Sequence, residues 1–155
     1  MLIEETREAV LQHLEKKLIA NSAYIGDIDF GLVDELAIKG IVHLLVPESF
    51  PIAVTDSIKK IPCKSFSDAV RNLSKIRSKH GLDCIVVSSV VDYVTASVSL
   101  AFAINKLRCG GTLIFSAVNP DDLSNAISIY KKSFSEDGIL EQRLNANSSI
   151  LTRNF

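Results

Sequence analysis

The side chains whose types could do chemistry in this 155-residue sequence are three histidines, three cysteines, a serine pair and a run of bases. Cys63, Cys84 and Cys109 are far apart and form no C-x-x-C pair, and His13, His43 and His80 share no ligand spacing with one another or with a cysteine. A structural or catalytic metal needs several donors converging on one ion, so no metal site is expected. Free thiols in a reducing, cytoplasmic compartment are the natural reading. A serine hydrolase needs a G-x-S-x-G turn and a P-loop enzyme needs G-x-x-x-x-G-K-[ST]; the chain has neither. Ser88-Ser89 can line a pocket but carries no catalytic signature, and no catalytic residue is assigned.

Charge is the strongest surface feature. Lys59, Lys60, Lys64, Arg71, Lys75, Arg77 and Lys79 place seven bases between 59 and 80 against a single acid, Asp68, a local charge of +6 in a chain of net charge −1. Such a segment could meet phosphate, nucleic acid or an acidic protein surface. It could equally be a solvated face balancing the first 35 residues, where eight acids meet three bases, and that is the preferred reading. Lys59, Lys60, Lys64, Arg71 and Lys75 are the candidate contacts to a partner or to phosphate.

These residues must be held by elements that the hydrophobic pattern reveals. The length suits about one domain with a real core. No apolar run reaches the roughly 18 residues of a membrane span. Glu4, Glu5 and Glu8 interrupt any secretory signal, so no membrane partner is expected. Leu2–Ala20 has the periodicity of an amphipathic helix, Asn21–Gly31 reads as a connection with one extended turn around Tyr24–Ile28, and Leu32–Lys39 is a short helix stopped by Gly40. Ile41–Val46 is the first core strand. Phe50, Val54, Ile58 and Ile61 repeat at helical spacing between Ser49 and Pro62, so a helix is expected there. A stub of strand at Cys63–Lys64 precedes a helix over Phe66–Ser78 with a Ser65/Asp68 capping box.

The stretch from Leu82 to Val118 organises the rest. Leu82–Ser88 and Thr112–Val118 are short apolar runs, as expected of strands covered on both faces. Between them Val90–Leu107 is a helix capped by Ser89, apolar all round, and stopped by Gly110-Gly111. Its second face must be covered by the amino-terminal helix or by another subunit. Asn119-Pro120-Asp121-Asp122 opens another helix, with Phe134 on its apolar side and a turn at Asp137-Gly138. Ile139–Leu144 and Ser149–Arg153 form an antiparallel hairpin.

This order, with Leu107-Arg108-Cys109-Gly110-Gly111-Thr112-Leu113-Ile114-Phe115, resembles class I S-adenosylmethionine-dependent methyltransferases from about Ile41 to Phe155. In that family a leucine, a base, a proline and two glycines commonly precede the fifth strand; Cys109 stands where the proline is usual. The terminal hairpin is similar to the family's last two strands. The resemblance implies a three-layer, Rossmann-like α/β fold with a mostly parallel sheet and a carboxy-terminal antiparallel hairpin. Residues 1–40 would be a helical extension packing on a methyltransferase-like domain over 41–155, shortened by about one strand-helix unit.

The resemblance further implies a cofactor held by a glycine-rich turn after the first strand, and an acid ending the second strand that takes the ribose hydroxyls. If Ile41–Val46 is the first strand, its turn is Val46-Pro47-Glu48-Ser49-Phe50-Pro51, with no glycine and two prolines. Glycine is what lets backbone approach a ligand, and proline removes a donor. The acid would then fall at Cys63–Lys64, where lysine has the wrong charge. The expectation is therefore a cofactor-free, non-catalytic domain, similar to the methyltransferase-like amino-terminal domain of the anamorsin family. It would act by binding another protein or its own copy through Val90–Leu107 or the basic segment. The alternative is an S-adenosylmethionine-dependent methyltransferase with an atypical loop, contacted by Pro47, Glu48, Ser88 and Ser89. A second alternative is a nucleic-acid-associated protein using the bases.

Overall fold

The structure, a computed structural model, describes residues 4–27, 31–53, 55–90, 92–133 and 138–155. The elements run α1 (Glu4–Glu15), β1 (Asn21–Ile25), α2 (Leu32–Lys39), β2 (Ile41–Val46), β3 (Ile58–Pro62), α3 (Phe66–Leu73), β4 (Leu82–Val90), α4 (Tyr93–Lys106), β5 (Leu107–Ala117), α5 (Pro120–Ser133), β6 (Ile139–Asn145) and β7 (Ser148–Arg153). Seven strands form one sheet in the order β3-β2-β1-β4-β5-β7-β6. The first five are parallel, and β7 runs antiparallel to both β5 and β6. The expected three-layer α/β fold with its terminal hairpin is present. Of the earlier expectations, Leu2 and Ile3, Ile28, Val54, Val91, Phe134 and Asp137 lie outside the described residues.

The main departure is at the centre. Asn21–Ile25, expected as a connection, is the strand between β2 and β4. Its residues Ser22 to Ile25 are all buried, with Ala23 and Ile25 in the core on one side of the sheet and Tyr24 in the core on the other. A central parallel strand covered on both faces need not alternate polar with apolar, and Ser22 satisfies its hydroxyl on the Ile41 carbonyl at 3.4 Å. No strand-helix unit is missing; it lies within residues 21–40, so those residues are not a purely helical extension. The carboxylate of Asp83, at the start of β4, fastens this end of the sheet. It accepts from the Ala20 and Asn21 amides at 2.8 and 3.0 Å and from Arg108 Nε on β5.

The segment expected as a helix before Pro62 is instead β3, an edge strand whose Ile58, Lys59, Lys60 and Ile61 pair with Val42, His43, Leu44 and Leu45. Ladder bonds to β2 override the helical spacing there. No helix is found between β2 and β3 among the described residues; Phe50 seals that side instead, 4 % exposed, with its ring 6.1 Å from Tyr24. α3 ends at Leu73, and tight turn bonds from Ser74, Lys75 and Ile76 carry the chain on. α4 is capped by Asp92, not Ser89: Asp92 accepts from the Thr95 amide at 2.7 Å and its hydroxyl at 2.9 Å. The glycine pair does not stop α4, since Leu107 already pairs with Leu82; Gly110 at φ +80° lies within the irregular start of β5.

α3, α4 and α5 cover one face of the sheet. α1 and α2 cover the other, where Val10 and Leu14 meet Tyr24, Val42 and Val86. The amino-terminal helix therefore does not cover α4, whose Val94, Val98 and Phe102 stay exposed. Arg153 on β7 closes the far end of α4, donating to the carbonyls of Ile104 (3.0 Å), Asn105 (3.4 Å) and Leu107.

Candidate functional site

Strand order decides where a ligand can sit. From β1 the chain crosses by α2 on one face to β2, and from β4 it crosses by α4 on the opposite face to β5. Between β1 and β4 the two crossovers part, and a crevice opens at the carboxyl ends of the strands. A cavity of about 230 Å³ lies beside it, lined by Ile25, Gly26 and Asp27 after β1, Leu45, Val46 and Pro47 at the end of β2, Cys63 to Phe66 and Ala69 after β3, and Ser88 on β4. Its walls are mainly apolar, with Asp27, Lys64, Ser65 and Ser88 as polar groups at a few points, the usual make-up of a small-molecule site.

The turn is built for close backbone approach. A Cβ at Gly26 would stand 3.1 Å from Ser88 Cβ and 3.3 Å from the Tyr24 ring, both of them buried. A side chain here would have to push these strand ends apart by a few tenths of an ångström. Ser88, which lines the cavity, lies where the β4–β5 ladder loses register between Val87 and Val90. On the β3 side, Ser65 Oγ accepts from the Asp68 amide at 3.1 Å while Asp68 accepts from the Lys64 amide at 3.0 Å. This variant of the capping box, in which Asp68 reaches the Lys64 amide and not that of the Ser65 cap, sets the first turn of α3 against the cavity. Cys63 joins it as an acceptor of Asn72 Nδ2 at 3.6 Å, and burial raises its thiol pKa.

The expected site residues divide. Pro47 and Ser88 line the cavity; Glu48 is exposed two residues beyond β2; the Ser89 side chain lies outside the described part. Lys64 also lines it, whereas Lys59 lies on β3 and Arg71 on α3, with Lys75 just beyond. Lys60 holds the β2–β3 connection by its ammonium, which donates to the carbonyls of Glu48 (2.5 Å) and Phe50 (3.2 Å). Gly26 and Asp27 were missed, and the signal was present: a glycine directly after Ala23-Tyr24-Ile25. The histidines are not brought together. His13 is on α1, His43 on β2 and His80 before β4; burial lowers the pKa of the first two, aided by Lys17 for His13 and by Lys59 and Lys106 for His43. Among the described residues no three His, Cys, Asp or Glu are placed to hold a metal ion.

No protein-family model and no curated protein sequence matches the chain. Solved structures do. The N-methyltransferase NodS from Bradyrhizobium japonicum WM9 superposes with a TM-score of 0.62 over 97 % of this chain and 96 % of that one, at 14 % identity. NodS in complex with S-adenosyl-L-homocysteine gives 0.61 over 97 % and 87 %, at 17 % identity. An rRNA methylase from Streptococcus thermophilus gives 0.64 over 100 % and 99 %, at 11 % identity. The fold is that of a class I methyltransferase. This corrects two expectations. A non-catalytic, cofactor-free domain rested on a glycine-less turn at Val46–Phe50, but that turn follows the second strand, and the structural neighbours are methyltransferases, one of them solved with the demethylated cofactor. The narrower likeness to the anamorsin family is not among these neighbours.

Proposed function

We propose that the protein is an S-adenosylmethionine-dependent methyltransferase whose cofactor lies across the carboxyl ends of β1 and β2. The carrying observation is Gly26, whose missing Cβ would press on Ser88 and Tyr24 and which lines a cavity beside the topological switch point. The donor set suits the group: apolar walls from Leu45, Val46, Phe66 and Ala69 for a purine, and bare backbone at Gly26 for the amino-acid end. Glu48, two residues past the second strand, is the acid to accept from ribose hydroxyls, and Lys60 positions it by gripping its carbonyl. S-adenosylmethionine, when bound, supplies a sulfonium methyl carbon that an acceptor's lone pair can take. Asp92 is committed to capping α4, which holds its pKa below the ordinary carboxylate value, so it does not serve as a general base.

The three cysteines are free, which supports a reducing, cytoplasmic setting, and no helix among the described residues is long and apolar enough to cross a membrane. Calorimetry with S-adenosylmethionine and S-adenosylhomocysteine tests the proposal. Micromolar binding of either, lost in Gly26→Val, is expected. No binding of either at millimolar concentration would overturn it.

A further inference from the structure

The bases of residues 59–80 are not balanced in the way the sequence suggests. Glu8, Glu15 and Glu35 belong to α1 and α2, which pack on one face of the sheet, whereas α3 packs on the other. The bases lie around α3: Lys59 and Lys60 on the edge strand β3, Lys64 at its carboxyl end, Arg71 on α3, then Lys75, Arg77 and Lys79 on the return to the start of β4, which is separated from β3 by β2 and β1. Lys59, Lys64, Arg71, Lys75, Arg77 and Lys79 are all exposed. Asp68 is the only acid of this segment; it is held by the Lys64 amide and reaches Arg71 at 3.9 Å. Lys60 bonds only to carbonyls, which leave its charge uncompensated. Among the described residues no ion pair reaches Lys59, Lys64, Lys75, Arg77 or Lys79.

The track begins at the cavity. Lys64 lines its wall, Lys59 and Lys60 lie on β3, which is about 16 Å long at the usual rise per residue, and Lys75, Arg77 and Lys79 follow α3 to the amino end of β4. One or two bases at the rim would serve a small anionic acceptor. Bases reaching from the cavity to the amino end of β4 fit a polymer with repeating charge. We infer that the methyl acceptor is a nucleic acid whose phosphodiester backbone lies along the β3–α3 edge while the nucleotide to be modified reaches the cavity beside Lys64. This rests on the methyltransferase reading above. Backbone contacts of this kind position the polymer without reading its sequence.

The test uses the whole chain, a 20-base-pair RNA hairpin, the matching DNA hairpin and a poly-glutamate peptide, followed by fluorescence anisotropy from 50 to 200 mM salt. The triple variant Lys59→Glu/Lys75→Glu/Lys79→Glu avoids every residue placed in the cofactor site. The expected result is binding of at least one hairpin that weakens about a hundredfold over this salt range. In the variant the affinity falls at least tenfold and the salt slope by about 2–3, while S-adenosylhomocysteine binding is unchanged. Which hairpin binds more tightly identifies RNA or DNA. Cofactor binding with no hairpin binding at 50 mM salt overturns the inference alone. Equal hairpin binding by the variant, or tighter binding of poly-glutamate, also overturns it, the latter in favour of an acidic protein. Hairpin binding without any cofactor binding overturns the acceptor role through failure of the methyltransferase reading.

Discussion

Replacing Gly26 by alanine tests the site at its tightest point. The added Cβ would sit 3.1 Å from Ser88 Cβ and 3.3 Å from the Tyr24 ring, against an ordinary contact of 3.4–4 Å. Neither neighbour can retreat: Ser88 is 2 % exposed and Tyr24 is fully buried. Overpacking of this kind costs about 1–3 kcal/mol. Gly26 is not at a left-handed φ, so alanine also restricts the unfolded chain and recovers about 0.4–1 kcal/mol. The net is a loss of about 1.3 kcal/mol, or about 3–5 °C in Tm for a chain of this size. The strand ends must part to admit the methyl group, which moves the turn into the cavity, so S-adenosylhomocysteine binding weakens as well. Thermal and urea unfolding with calorimetry read both effects. Ser88→Gly removes the opposing Cβ, so the double variant should be more stable than the two single losses predict by about 1 kcal/mol. Unchanged Tm in Gly26→Ala, or additive losses in the double variant, would refute the steric reasoning.

Three further outcomes follow from the same geometry. Asp83→Ala removes an acceptor shared by two amides and a guanidinium at the head of three strands, and should cost about 2–3 kcal/mol by urea unfolding, with Asp83→Asn costing less. His13 and His43 have folded pKa values below 6.5, so the unfolded chain takes up protons first. Stability should therefore fall as pH drops through 6.5, and a His13→Gln/His43→Gln variant should show a flatter Tm profile between pH 7.5 and 5. In a thiol titration of the native protein Cys109, the exposed cysteine, should react fast; Cys63 should react slowly and more slowly still with S-adenosylhomocysteine; Cys84, its pKa pushed up to about 12 by full burial, should wait for unfolding.

Most of the architecture was legible in local pattern. The apolar runs of β2, β4 and β5, the Ser65/Asp68 box and the terminal hairpin all carry signals set within a few residues of themselves. β1 carried none. Asn21 and Ser22 are ordinary loop residues, and only burial between β2 and β4 makes them strand. That one short element displaced the numbering of every later strand. The glycine turn was consequently sought beside Pro47 and the ribose acid beside Lys64. Pro47 and Ser88, named for a pocket from the sequence, line the cavity nonetheless, because any turn at the carboxyl end of a parallel strand faces the same crevice. Lys59 and Lys60 were placed on a helix because Ile58 and Ile61 fit its period; pairing with β2 is a tertiary fact that spacing does not encode.

Among its described residues the connection from β2 to β3 crosses between parallel strands without a helix, its backbone amides tied mainly within itself, with Phe50 as a buried apolar anchor and Lys60 as its tether. Few buried contacts mean a low free energy of local opening. The wall carrying Pro47 and Glu48 should thus exchange its amide protons before the strands behind it, and a ligand that grips it should slow that exchange more than it stiffens those strands. The doorway is looser masonry than the strands it leans on, and whatever enters becomes part of the wall.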